Sequence, residues 1–265
     1  MRTSDLGGRI AYGLPAALFA LFIVLQGGWW FAAGAIALGL VCLHELFAMF
    51  ARARPARLAG FLALVALGVV AMEGDAYHLV LVGVALFPVL FLLTIAGPSA
   101  RGGTGGMAIV VLGVFWIGMG IAHAIMLREL PHGGGIVAAV LIGTFVGDTG
   151  AYFVGRAIGR TKLAPRISPN KTVEGLAGGI LTAILAVWIV NWYQDWIDTP
   201  DALILGATVA ILAPIGDLFE SFIKRDAGTK DTGTLFGAHG GALDRLDAVL
   251  FTLVAGYYVW NAIGV

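Results

Sequence analysis

Residues 28–50 read GWWFAAGAIALGLVCLHELFAMF, an apolar stretch whose two ionisable side chains, His44 and Glu45, come near its end. A helix rises about 1.5 Å per residue, so this stretch is about 34 Å long as a helix. The hydrocarbon core of a bilayer is roughly 30 Å thick. The stretch therefore predicts a helix that crosses a membrane.

The rest of the chain has the same apolar character. Of its 265 residues, 59% are hydrophobic and 12% are charged, and the mean hydropathy is +0.93. A soluble domain has roughly 45–50% apolar and about 25% charged residues, so this chain could not cover itself with polar groups in water. We expect an all-α, polytopic integral membrane protein that forms a single transmembrane domain over residues 1–265. Nine transmembrane helices are expected, at 10–26, 28–50, 57–73, 77–97, 106–127, 135–157, 175–194, 203–223 and 246–264.

The basic residues predict the orientation of these spans. If the N-terminus is cytoplasmic and nine crossings follow, every Lys and Arg except Arg128 lies on the cytoplasmic side, as the positive-inside rule requires. The C-terminus is then external. The formal net charge is zero, which argues against nucleic acid as a partner.

Pairs of glycines spaced four residues apart predict where helices pack closely. Helices in lipid gain little from hydrophobicity and approach one another through small residues. Three such GxxxG spacings occur, at Gly143/Gly147, Gly155/Gly159 and Gly175/Gly179.

Three of the expected spans carry a carboxylate. Glu45, Asp148 and Asp217 each precede a basic residue of the cytoplasmic edge by seven or eight positions, which puts them at one depth. An ionisable group inside a span costs roughly 2.5–3.5 kcal/mol on insertion scales, so it needs a partner or a polar cavity. We expect one cavity, open to the cytoplasm, that receives all three. For Glu45 the alternative is a side chain that extends to the membrane surface.

The ninth span opens with GALDRLD, which puts Asp244 and Asp247 on one helical face with Arg245 between them. Mg²⁺ binds one or two carboxylates and completes its shell with water and phosphate oxygens, so such a pair beside basic loops suits this ion. Capping of the helix by Asp244 is the alternative. One face of the eighth span also carries acid and base together: Asp217, Glu220, Ser221 and Lys224.

Two polar segments are expected at the cytoplasmic surface. In the first, SPNK predicts a helix start, with Ser168 as N-cap, Pro169 at the first helical position and Lys171 in the first turn. The free N–H groups of such a start bind phosphate, whereas a merely basic loop binds anionic lipid heads. The second segment, residues 224–245, reads KRDAGTKDTGTLFGAHGGALDR and combines bases, carboxylates and glycines. Together they indicate phosphoryl or nucleotidyl transfer to a substrate held in the membrane.

Residues 221–247 resemble the signature of the phosphatidate cytidylyltransferase family. The matching elements are SFIKR at 221–225, Lys230 with Asp231, Gly233, Phe236 with Gly237, HGG at 239–241 and DRLD at 244–247. Ala242 departs from the larger aliphatic residue that is usual at its position. A second family feature is present as GDTGAYFVGRAIGR and SPNKTVEG, so the resemblance covers residues 143–250.

The resemblance implies a Mg²⁺-dependent transfer of CMP from CTP to phosphatidic acid with release of pyrophosphate, by a homodimer in the bacterial inner membrane. A second cation is left open. The catalytic region, about 143–250, would face the cytoplasm. The implied metal ligands are Asp217, Asp244 and Asp148. The implied catalytic residues are Asp217, Lys224, Arg225, Lys230, Asp231, Asp244, Arg245 and Asp247, and the implied substrate-binding residues are Ser168, Asn170, Lys171, Glu174, Ser221, His239, Gly240 and Gly241.

Other functions predict different sequence features. A CDP-alcohol phosphotransferase would carry DGxxAR followed by GxxxDxxxD, and the sequence contains neither. An ion-coupled transporter would carry its carboxylates near the midplane on broken helices. A related cytidylyltransferase that acts on an archaeal ether lipid stays open, as do the acyl-chain preference and the route by which the lipid enters.

Overall fold

The computed structural model of this chain is almost entirely helical over the residues that it describes, which are 15, 18–73, 76–233 and 240–263. In chain order the helices are α1 (Gly28–Met49), α2 (Arg57–Glu73), α3 (Ala76–Ile95), α4 (Gly103–Gly113), α5 (Met119–Glu129), α6 (Gly133–Ile158), α7 (Val173–Asn191), α8 (Thr199–Asp226) and α9 (Leu243–Ile263). A helical segment at residues 18–26 precedes them. Between α4 and α5 the chain stays helical through a π turn, Val114–Gly118.

Seven helical spans within the described residues are long and apolar enough to cross a membrane. They are α1, most of α3, the continuous stretch Ala100–Glu129, and α6 to α9. The expectation of an α-helical, polytopic membrane protein is thereby confirmed. The first expected span, 10–26, lies partly outside the described residues. The third, α2, is helical but has only 17 residues, about 26 Å of helix. The count of nine and the orientation stay predictions.

The chain forms two compact units. The first comprises Met1–Met126 and Ala227–Arg245, and the second comprises Leu127–Asp226 and Leu246–Val265. Each unit joins two separate stretches of sequence, so neither could be cut from the chain in one piece. The single transmembrane domain stays a prediction.

In the first unit, glycines let α1 and α2 approach closely. Gly60 of α2 faces Phe47 of α1, and Gly68 faces Ile36. A side chain at either glycine would overlap these neighbours, and Phe47 is fully buried. Close backbone approach of this kind is how helices gain packing contacts in lipid. It fixes the C-terminal half of α1, where Glu45 lies.

In the second unit, the three GxxxG spacings all lie where α6 meets α7. Gly147 lies against Ala183 and the carbonyl oxygen of Gly179. Nearer the end of α6, Gly155 approaches the backbone of Gly175. The prediction that these glycines mark helix contacts is confirmed.

A short hairpin separates α6 from α7. Strand β1 (Lys162–Ala164) pairs antiparallel with β2 (Ser168–Thr172), and Ala164 faces Ser168. The prediction that Ser168 caps a helix was wrong, because α7 begins at Val173 and its N-cap is Thr172, whose hydroxyl accepts a hydrogen bond from Gly175 N at 3.1 Å. The dihedral angle that proline fixes suits an extended strand as well as a helix start. Pairing with β1 makes residues 168–172 a strand.

Candidate active site

The second unit contains a cavity of about 540 Å³ between α6, the hairpin, α7 and α8. Its wall is partly apolar, with Leu163, Leu176 and Pro214 among the lining residues. Its polar lining residues are Asp148, Tyr152, Arg156, Asn170, Lys171, Thr172 and Asp217. Acidic, basic and amide side chains thus converge on a space large enough for a small ligand.

Lys171 and Asp217 form an ion pair in this cavity. Lys171 Nζ lies 2.5 Å from Asp217 Oδ2, and the two side chains are 26% and 29% exposed. Lys171 is carried by strand β2 rather than by the first turn of a helix, so the expected helix N-terminus does not explain a phosphate contact at this position. The ion pair itself puts an ammonium group and a carboxylate on the cavity wall.

Asp148 and Asp247 add two carboxylates near Asp217. Asp148 of α6 lines the same cavity. Gly216 of α8 lies against the backbone of Asp247 in α9, so the two helices meet where both carry an aspartate. The three carboxylates are close enough to repel one another, while Lys171 and Lys224 offset part of their charge. Carboxylates grouped in this way are the kind of ligand that Mg²⁺ takes.

The face of α8 on which the sequence predicted acid and base together is present, and its members pair with one another. Ser221 Oγ donates to Asp217 Oδ1 at 3.4 Å. Lys224 Nζ lies 2.5 Å from Oε2 of Glu220, a side chain that is 1% exposed. A buried carboxylate needs such a partner. The spacing of four residues could have indicated this pair.

Asp244 lies in the first unit, where it fastens the loop before α9. Its Oδ2 accepts hydrogen bonds from Thr232 N at 2.9 Å, Thr232 Oγ1 at 2.9 Å and Gly241 N at 2.8 Å. All three donors precede α9, and Asp244 lies inside this helix, which begins at Leu243, rather than at its N-cap. Gly240 takes a φ of +82° beside this carboxylate, a conformation that favours glycine.

Glu45 does not extend to the membrane surface. Its carboxylate is buried in the first unit, where it accepts hydrogen bonds from Ala242 N at 3.0 Å and Leu243 N at 2.9 Å. Of the three carboxylates expected in one cavity, the described lining contains Asp148 and Asp217. Glu45 is not among the lining residues, and the start of α9 supplies its partners.

The remaining predicted residues fall into three groups. Glu174 accepts hydrogen bonds from the backbone N–H groups of Arg160 and Thr161, and Arg225 Nε donates to Ile167 O at 3.3 Å, so both hold the hairpin in place. The exposed residues are Lys230, Asp231 and Arg245, and the buried glycines are Gly240 and Gly241. His239 lies outside the described residues.

Two described carboxylates suit a Mg²⁺ ion to which the protein contributes only a few ligands. Within the described ranges, no group of three or more His, Cys, Asp or Glu side chains could hold a metal ion. Mg²⁺ is commonly bound by one or two carboxylates and keeps water and substrate phosphates as its other ligands. Asp148 and Asp217 on one cavity wall suit that mode of binding, and the metal site stays a prediction.

Known proteins resemble this chain over almost its whole length. The profile described as "Cytidylyltransferase family" matches residues 8–263. The phosphatidate cytidylyltransferase of Bacillus subtilis is 34% identical over 264 residues, which cover 96% of this chain and 97% of that protein. The enzyme of the same name from Brucella suis is 33% identical over 267 residues, covering 98% and 94%. A third, from Staphylococcus epidermidis, is 32% identical over 256 residues, covering 92% and 95%.

Proposed function

Because this chain belongs to the cytidylyltransferase family, we propose that it transfers CMP from CTP to phosphatidic acid and releases pyrophosphate, with CDP-diacylglycerol as the lipid product. The resemblance that its two motifs predicted is confirmed, and membership makes the chain a nucleotidyltransferase. The printed names of three relatives with nearly full coverage support phosphatidic acid as the substrate. The product would serve phospholipid biosynthesis.

The structural observation that carries this proposal is the cavity with Asp148, Lys171 and Asp217 on its wall. Its volume of about 540 Å³ lies within the roughly 300–1,000 Å³ of small-molecule sites. A nucleoside triphosphate needs compensation of its negative charge, which a lysine and a carboxylate-bound cation supply together. The ion pair with Asp217 already holds Lys171 at the cavity wall, where its ammonium group would contact a phosphate group of the nucleotide.

The reaction needs positioned charges more than a strong base. An oxygen of the lipid phosphate attacks the α-phosphorus of CTP, the bond from that phosphorus to the oxygen bridging to the β-phosphate breaks, and pyrophosphate leaves. The attacking phosphate is already ionised near neutral pH. Lys171 stabilises the charge that develops on the phosphate oxygens. Mg²⁺ held by Asp148 and Asp217 would neutralise charge on the triphosphate when bound. Asp244 stays in the proposal as a cation ligand.

We further propose the membrane arrangement that the sequence predicts. It has nine spans, a cytoplasmic N-terminus, an external C-terminus, and an active site that faces the cytoplasm of a bacterial inner membrane, in a homodimer. The separation of the basic residues supports this arrangement. Single cysteines at Thr161 and Thr199, in a Cys42→Ala background, should be labelled from the cytoplasmic and external sides respectively. Labelling of both from one side contradicts the nine-span orientation.

The activity is tested with purified protein, labelled CTP, phosphatidic acid and Mg²⁺, followed by extraction of the lipid. We expect label in the lipid phase, none after chelation of Mg²⁺, and none when phosphatidic acid is replaced by diacylglycerol. An ether-linked archaeal lipid acceptor tests the alternative substrate in parallel. If neither phosphatidic acid nor the ether lipid took up label, with protein that CTP and Mg²⁺ protect against heat, the transfer reaction would be contradicted.

A further inference from the structure

The first unit contains a buried carboxylate that the proposed reaction does not use. Glu45 is 6% exposed and lies near the end of α1, a helix apolar enough to cross a membrane. A carboxylate is costly in such a helix unless it has a defined role. Its partners belong to the loop and the first residues of α9.

The Glu45 carboxylate holds the start of α9 through both of its oxygens. Oε1 accepts from Ala242 N at 3.0 Å, and Oε2 accepts from Leu243 N at 2.9 Å. Leu243 is the first residue of α9 and Ala242 precedes it, so no backbone carbonyl within the helix can accept either N–H group. A carboxylate from another helix therefore satisfies them.

Thr232 connects this carboxylate to Asp244. Its hydroxyl Oγ1 lies 3.1 Å from Glu45 Oε2 and 2.9 Å from Asp244 Oδ2, within hydrogen-bond distance of both. Gly233 and Gly241 pack tightly against these groups, since a side chain at either position would overlap the Glu45 carboxylate. Any shift of Glu45 is thus passed to the residues that orient Asp244.

We propose that Glu45 is a positioning residue for Asp244, acting through Thr232 and the backbone of residues 242 and 243. The proposal rests on the role of Asp244 as a cation ligand in the proposed function. Groups that hydrogen-bond to a metal ligand fix its orientation, and their loss typically lowers metal affinity by about 10–100-fold. Glu45 would exert this effect without touching the cation.

The variant Glu45→Gln tests the geometry directly. Glutamine offers one acceptor oxygen, and its NH₂ group would face a backbone N–H, so one of the two bonds to α9 is lost. Hydrogen exchange of the purified protein in nanodiscs should show the amides of residues 240–246 exchanging about tenfold faster or more. Glu73→Gln, the same change at an exposed position of the same unit, is the matched control and should leave these amides unchanged.

Cation binding tests the consequence for Asp244. Mn²⁺, measured by electron paramagnetic resonance without CTP, should bind about tenfold or more weakly to Glu45→Gln. The Mg²⁺ concentration for half-maximal CMP transfer should rise by a similar factor, with a smaller change in kcat at saturating Mg²⁺. A merely structural role would lower the folded fraction and kcat without moving either cation dependence, and that result would overturn the proposal.

A second variant covers the case in which Glu45→Gln does not fold. Thr232→Val removes the bridging hydroxyl and leaves Glu45 bound to the backbone, so a weaker Mn²⁺ affinity in this variant supports the proposal and an unchanged affinity overturns it. The exchange and Mn²⁺ readouts do not require CMP transfer. Absence of transfer in the wild-type protein would therefore count against the proposed function alone, while faster exchange with unchanged Mn²⁺ binding would count against the positioning role.

Discussion

Glu45 and Asp244 of the first unit are held in a different way from Asp217 of the second. In the first unit, Glu45 and Asp244 accept hydrogen bonds from backbone N–H groups and from the Thr232 hydroxyl. In the second unit, Asp217 pairs with the side chain of Lys171 on the wall of a cavity. Backbone donors fix a carboxylate because the fold sets their positions, whereas a lysine can turn to another anion. Glu45 and Asp244 are thus held in one orientation, whereas the partner of Asp217 can be exchanged.

The largest expected effect is on catalysis by the cavity. Asp217→Asn removes the charge that a cation requires but keeps the size of the side chain, so CMP transfer should fall by about 10³-fold or more, which is about 4 kcal/mol. The thermal midpoint should change little, because Asp217 is not held by backbone donors. Transfer and thermal unfolding are measured on the same preparation.

Asp195→Asn in an exposed loop is the matched control for this change and should retain full transfer. A folded Asp217→Asn protein that kept more than about a tenth of the wild-type rate, a loss of only about 1.4 kcal/mol, would remove Asp217 from the cation site.

The next effect is on stability rather than chemistry. Lys224→Ala leaves Glu220 buried without the ammonium that lies 2.5 Å from it. Breaking a buried ion pair from one side costs about 3–5 kcal/mol, so we expect a clear loss of unfolding free energy. Lys230 is an exposed lysine of the same signature, so Lys230→Ala should lose almost no unfolding free energy. Equal stability of the two variants would show that the Lys224 and Glu220 pair is not structural, and the double variant Lys224→Met with Glu220→Met should recover stability.

A smaller effect is expected at Lys171, the residue of the second unit that we propose contacts phosphate. Lys171→Ala should slow transfer by about 10–100-fold, or about 1.4–2.7 kcal/mol, because one charge that stabilises the phosphate oxygens is lost. Arg52→Ala removes an exposed charge in the short 3-10 helix Ala51–Ala53 of the first unit and is the control. If both variants lost the same activity, the basic residues would act only through a general surface potential.

The smallest effect concerns the start of α7. Thr172→Ala removes the hydroxyl that accepts from Gly175 N, and loss of such a cap costs about 1 kcal/mol. Ser168→Ala, at the position where the sequence predicted the cap, should cost less. Comparison of the unfolding midpoints decides between the two positions, and a larger loss at Ser168 would contradict the observed helix start.

The sequence was sufficient for features that depend on local patterns. Runs of apolar residues predicted the membrane helices, and the spacing of Gly143, Gly147 and Gly179 predicted that these glycines lie in helix contacts, because a helix places such residues on one face. The polar face of α8 followed from the same periodicity.

Features that depend on distant partners were missed. SPNK is compatible with a helix start or with a strand, and only pairing with residues 162–164 decides between them. Glu45 finds the N–H of Ala242 across 197 positions of sequence, and no local pattern indicates that separation. Thr232 gave no signal either, since a threonine in a glycine-rich loop is common.

The long separation between Glu45 and Ala242 also has a consequence for biosynthesis. The first unit takes its last piece from residues 227–245, after the chain has passed through α6, α7 and α8. At about 5–20 residues per second, a ribosome needs roughly 10–40 s to proceed from Glu45 to the partners described for it. During that interval the Glu45 side chain must be accommodated by the insertion machinery, because its partners in the finished fold have not yet been made. A nascent chain stopped before residue 242 would lack the backbone groups of α9 that receive Glu45, and quality-control proteases would meet the protein in that state.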